Sequence, residues 1–158
     1  MKRTVISLAA AAAALAGPVL AEVVAPSAVS WVDEVAIETS LSGAPGNVES
    51  GKVLMDKGLG NCIACHAVTD LSELQFHGTV GPSLDGVADR WSEAELRGIV
   101  SDAKRMFDGT VMPSFYRTEG YTRPGNGFTG KAVEGDVQPL LTAQEIEDLV
   151  AYLLTLKE

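Results

Sequence analysis

Residues 61–66 read NCIACH. Two cysteines two residues apart, with a histidine directly behind the second, admit three chemistries: a zinc site, thiol–disulfide exchange, or covalent haem. Zinc takes about four donors, so His77 and an acid or water would have to complete the set. A thioredoxin-like dithiol belongs beside a β-α-β unit. The sequence shows no strand pattern, and such a site gives His66 no task. Haem attachment uses all three residues. Two thiols on one helical turn meet two vinyl groups along one edge of the ring, and the next residue turns its imidazole to the iron. Cys62 and Cys65 are therefore expected to be the thioether anchors of one covalently bound haem c, and His66 an axial ligand of its iron.

The iron needs a ligand on its other face. His77, Met55, Met106 and Met112 are the candidates. Met55 precedes the motif on a helical pattern and reads as core, and Met106 ends a second helix and reads the same way. Met112 lies in GTVMPSF (109–115), a glycine-marked loop in which Pro113 holds the preceding residue extended. It stands 46 residues beyond His66, enough chain to reach the opposite face. Met112 is the favoured ligand. His77 is the alternative, and is otherwise read as a solvated loop histidine. Methionine opposite histidine raises the reduction potential and completes the coordination sphere, which suits electron transfer. The free nitrogen of His66 also needs an acceptor, and the Pro82 carbonyl in GTVGPSL (78–84) is the candidate.

The compartment is read from the start of the chain. Lys2 and Arg3 precede an alanine-rich apolar stretch ending in Val19-Leu20-Ala21, the form of a cleaved export signal. Residues 1–21 are expected to be removed, leaving the protein in the periplasm without stable membrane association. Without Lys2 and Arg3 the chain holds 10 basic and 21 acidic residues, a formal charge of −11. That charge makes nucleic acid a poor partner. Exported domains usually carry disulfides, yet both cysteines are committed to the haem motif. The cofactor itself is then expected to supply the apolar body around which a small core packs.

The remaining pattern is helical. Asn47 caps a first helix, with Glu49 in its first turn. Ser92-Glu93-Ala94-Glu95 and Thr142-Ala143-Gln144-Glu145 are capping boxes, stapled by Trp91/Leu96 and Leu141/Ile146. Leu96, Ile99, Val100 and Ala103 line one buried face; Ile146, Leu149, Val150 and Leu153 line another. Residues 67–90 and 108–140 read as loop. Residues 22–46 form an N-terminal extension, either loose or packed on the domain or a partner, ahead of a domain at 47–158.

In order, CIACH, GPSLDGVADR, VMPSF and LTAQEIEDLVAYLLTL resemble a class I cytochrome c domain, an all-α fold. The resemblance implies that the first and last helices cross, with Gly51 against Tyr152. It also implies that Pro82 accepts from His66, Leu84 packs on the haem, and Met112 is the distal ligand. WSEAELRGIVSDAKRMF, TVMPSFYRTEGY, FTGK and the last helix are similar to the SoxX family, the small monohaem subunits of SoxAX cytochromes in bacterial sulfur oxidation. That similarity runs from about Gly51 to Lys157. It implies a heterodimer with SoxA that couples thiosulfate oxidatively to a cysteine of SoxY in the SoxYZ carrier. The catalytic haem would lie in SoxA, and this chain would pass electrons to another cytochrome c, with no catalytic residue of its own. The extension and the loop 117–139 are candidate SoxA contacts. A free, diffusible monohaem cytochrome c is the competing reading, and a haem-free redox or metal-binding protein is a further one.

Overall fold

The computed structural model of the chain describes residues 22–158. The expected signal at 1–21 and its cleavage site lie outside those residues. Four α-helices order the rest: α1 (Val48–Leu54), α2 (Val87–Arg90), α3 (Glu93–Asp102) and α4 (Ala143–Leu153). Short 3₁₀ turns lie at Cys62–Ala64, Thr69–Leu71 and Ala103–Arg105. Among the described residues the β pairings are isolated bridges, Val32 with Ala36 and Gly125 with Ala132. The fold is the expected all-α class. Region 67–90 is more ordered than the loop expected of it, because Gly86, at a φ of 66°, turns the chain into α2.

Three of the four helices, α1, α3 and α4, start at a side-chain cap. The Asn47 side chain accepts from Ser50 N, satisfying a backbone donor that the first turn of α1 leaves free. Ser92 with Glu95, and Thr142 with Glu145, form reciprocal capping boxes on α3 and α4. Ile146, Leu149, Val150, Tyr152 and Leu153 of α4 are all buried, and both α1 and α3 pack against it. At the α1–α4 crossing only glycine fits at position 51. A Cβ there would overlap the Asp148 carbonyl oxygen and lie 2.9 Å from Tyr152 Cβ. Lys52 of α1 and the Tyr152 hydroxyl both donate to the Asp70 carboxylate, at 3.0 and 2.9 Å, which ties the crossing to the chain just after the cysteine motif.

The extension 22–46 is part of the core. Ile37 and Leu41 are fully buried. Ile37 N donates to Ala94 O at 2.9 Å and Val24 N to Leu41 O at 2.8 Å. Tyr116 Oη donates to Val24 O at 2.6 Å. The arm crosses α3 at Gly98, where a Cβ would overlap the Val35 carbonyl oxygen. Covering this face buries Arg97 and Ser101, which a one-faced helix would leave in water. Arg97 Nε and Nη2 grip the Glu147 carboxylate at 2.9 and 3.0 Å, and Nη1 donates to Ile37 O at 2.8 Å. Glu147 also accepts from Leu41 N at 2.7 Å. Two charges are buried with their hydrogen-bonding capacity used, the condition under which burial of an ion pair is tolerated.

Met55 is fully buried, as its place on α1 suggested. Met106 is only half-buried, because α3 gives way to the 3₁₀ turn Ala103–Arg105 before reaching it.

Candidate functional site

The cysteine motif sits on a tight turn. Cys65 N and His66 N both donate to Cys62 O, at 3.1 and 3.0 Å, so the two thiols and the imidazole leave one turn of backbone. Asn61, at a φ of 43°, reverses the chain into it, and Ile63 N donates to Met55 O at 3.0 Å, hanging the turn from the end of α1. Ile63 is buried and anchors the motif in the core, while Cys62, Cys65 and His66 are half-buried around it. Burial pushes the Cys62 thiol up to about 11. A thiol so poor in thiolate is a poor redox nucleophile. Among the described residues no group of three or more His, Cys, Asp or Glu side chains could hold a metal ion, so a zinc site would lack donors. A neutral thioether carries no such burial penalty.

His66 is held in one tautomer. Its Nδ1 lies 2.7 Å from Pro82 O. A carbonyl only accepts, so Nδ1 carries the proton and Nε2 keeps a lone pair for a metal. The ring lies flat on the Gly81 backbone, where a Cβ would overlap Cε1 and stand 2.6 Å from Nδ1 and 2.7 Å from Nε2. Residues 81–84 are fixed in turn. Gly81 N donates to Cys65 O at 2.8 Å and Leu84 N to Ala67 O at 3.0 Å. Asp85 accepts from Thr69 N and from the Thr69 and Ser83 hydroxyls, each at 2.8 Å. The Thr69 backbone bond leads in holding the Asp85 carboxyl below its ordinary value. Arg90 Nη1 and Nη2 donate to the carbonyls of Asp85 and Ser83 at 2.7 and 3.0 Å. Asp85 and Arg90 lie in the quoted GPSLDGVADR stretch, but their part in holding the Pro82 loop had no separate signal in the sequence.

Cys62, Leu84 and Met112 all pack on the core while keeping part of their side chains accessible. Met112 comes from the chain beyond α3, which is pinned at several points. Lys104 Nζ donates to the carbonyls of Thr110 and Met112, at 3.0 and 2.8 Å. The Ser114 hydroxyl donates to the buried Asp102 carboxylate, and Tyr116 N to Ser101 O at 2.9 Å. Lys104 was not singled out in the sequence, since a surface lysine beside a helix end gives no sign of what it reaches.

His77 is not a solvated loop residue. It is half-buried, and its Nδ1 accepts from Val68 N at 3.1 Å, so in the neutral ring Nε2 carries the proton. That nitrogen is buried. Binding iron through it would require moving the proton and giving up the Val68 bond. With its Nδ1 so engaged, His77 is a poor donor for a haem iron in this arrangement.

No helix of the described residues is long and apolar enough to cross a membrane. The loop 117–139 runs almost wholly in solvent, with Phe128 99% exposed.

The cytochrome c family model matches residues 48–157. Among solved structures, a chain in the crystal structure of SoxXA from P. pantotrophus superposes with a TM-score of 0.80. It is 54% identical and covers 85% of this chain and 98% of its own. That coverage is about 134 of 158 residues, more than the 111 from Val48 to Glu158, so the likeness reaches into the N-terminal arm. No curated protein matches the sequence.

Proposed function

The chain belongs to the cytochrome c family, within it to the SoxX group, and we propose that it is the electron-transfer subunit of a periplasmic SoxAX complex. Its cofactor is covalently bound haem c, and its two cysteines fit the C-x-x-C-H pattern that such a haem requires. The iron of that group exchanges one electron between its ferric and ferrous states. The observation that carries the finer reading is the 54% identity to a chain of the SoxXA structure across nearly all the described residues.

Cys62 and Cys65 are assigned as the thioether anchors, and His66 and Met112 as the axial ligands. Pro82 holds the proton of His66 Nδ1 so that Nε2 faces iron, and Leu84 packs on the ring. SoxA is the proposed heterodimer partner and carries the catalytic haem. There thiosulfate is coupled to a cysteine of SoxY, within SoxYZ, and two electrons are released. They leave one at a time through this chain to another cytochrome c. The sequence supports the division of labour, since no third cysteine is present to act as a sulfur-bearing ligand. Residues 1–21 are proposed as the export signal, 47–158 as the haem-binding domain, and 22–46 as an extension built into it.

Purification of the exported protein tests the assignment. A second haem-bearing chain is expected to co-elute with it on size exclusion, and the pair is expected to reduce an added cytochrome c when given thiosulfate and SoxYZ. A monomer with haem and no partner would instead identify a free electron carrier. Met112→Ala is expected to abolish the methionine sulfur-to-iron charge-transfer band and to lower the potential.

A further inference from the structure

The Met112 loop has few means of holding its own shape. Pro113 has no N–H to donate. Met112 N reaches only the Thr110 hydroxyl, at 3.2 Å within the same loop. Beyond Pro113 the chain is well tied, through Ser114 to Asp102 and through Tyr116 N to Ser101 O. Ahead of it, the tie from outside the loop to the Met112 backbone is the ammonium of Lys104, which donates to Met112 O at 2.8 Å and to Thr110 O at 3.0 Å. Lys104 belongs to the 3₁₀ turn that continues α3, and α3 packs on α4 and under the arm. The base of this bridge is rigid and its far end is the proposed ligand loop.

We propose that Lys104 is a positioning residue for the haem ligand. It holds the Met112 backbone so that the thioether stays at the iron and outside ligands are kept off. The inference rests on the assignment of Met112 as distal ligand. A charge-assisted hydrogen bond from a flexible lysine is shorter and stronger than a neutral one, and a single cation spanning two carbonyls fixes the turn between them. The side chain is exposed, so its loss opens no cavity in the core.

The test uses the mature, haem-loaded chain. Lys104→Met keeps the aliphatic stem and removes the donors; Lys104→Arg keeps them. In Lys104→Met, imidazole is expected to bind the ferric protein roughly five- to ten-fold more tightly, the scale of one ordinary net hydrogen bond, as suits a solvent-exposed donor. The sulfur-to-iron band is expected to disappear at lower urea than in the parent, while global unfolding by far-ultraviolet circular dichroism keeps its midpoint. Lys104→Arg is expected to restore parental imidazole affinity. Unchanged imidazole binding in Lys104→Met overturns the proposal. So does a global midpoint that falls in step with the band, which would make Lys104 an ordinary surface staple. Met112→Ala separates the two readings. If the band survives that substitution, Met112 is not the ligand and both readings fall; if the band is lost there while Lys104→Met behaves as the parent, only the positioning role falls.

Discussion

The two sides of this molecule are held together in different ways. On the arm side, charged groups are buried: Arg97 and Glu147 are each about 4% exposed in their side chains, and between them they join the arm, α3 and α4. On the haem-motif side, the buried Ser114–Asp102 bond apart, the polar ties described above stay near water. Asp85 binds the Thr69–Leu71 turn, Lys104 binds the Met112 loop, and the Lys52–Asp70 pair is one-third to one-half exposed. The first arrangement is hard to alter, because removing either partner strands the other charge in the core. The second costs less to break, and its ties bear on local geometry: the Pro82 loop that binds His66, and the backbone at Met112.

The contrast is broken most directly at Arg97. Arg97→Met leaves the Glu147 carboxylate buried with only Leu41 N to bind it. Loss of one partner of a buried pair costs about 3–5 kcal/mol, so the urea midpoint is expected to fall sharply while the haem spectrum of the remaining folded protein is unchanged. A loss under about 1 kcal/mol, the scale of an exposed pair, would erase the distinction between the two sides. Gly51→Ala comes next. Alanine favours an isolated helix over glycine by about 1 kcal/mol, yet here the Cβ meets the Asp148 carbonyl, and overpacking of that kind costs about 1–3 kcal/mol. A stabilised variant would mean that α1 does not rest on α4 as closely as described.

Gly81→Ala is expected to act the other way round, with a small effect on stability and a large one on geometry. The new methyl displaces the His66 ring from Pro82 O. The reduction potential and the low-spin spectrum should shift while the unfolding midpoint moves less than in Gly51→Ala. Unaltered spectra would show that the ring does not lie on Gly81.

The smallest effect is acid sensitivity. The Lys52 hydrogen bond, then the Tyr152 hydroxyl, holds Asp70 below its ordinary value. A carboxylate with a depressed folded pKa stabilises fully above its unfolded value of about 3.9 and loses that contribution as pH falls through the folded one. Asp70→Asn should therefore be slightly less stable than the parent at pH 6, and the difference should close below about pH 4. A gap that does not shrink at all as the pH falls would point to hydrogen-bond shape rather than charge.

Much of this was legible in the residues. NCIACH pointed to the haem c that family membership carries, and the capping boxes at Ser92 and Thr142 located α3 and α4, since both signals are local chemistry. The Gly51–Tyr152 approach was also foreseen, from the resemblance. Arg97 was not foreseen. On the pattern of Leu96, Ile99, Val100 and Ala103 it lies to one side of the apolar stripe, and nothing near it in sequence announces the arm that covers it. The contacts of Lys104, and the bond of His77 to Val68 N, were not foreseen either, because their partners stand six to nine residues away in irregular chain.

The sequence by itself determined the cofactor, the starts of α1, α3 and α4 and the candidate ligands, because each depends on residue types at short fixed spacing. Only the tertiary structure decided that residues 22–46 complete the core, that Glu147 and Arg97 are buried together, and that Lys104 reaches the Met112 loop. Those outcomes depend on which surfaces meet across long separations. Burial and hydrogen-bond satisfaction are properties of the packed chain, and no local pattern encodes them.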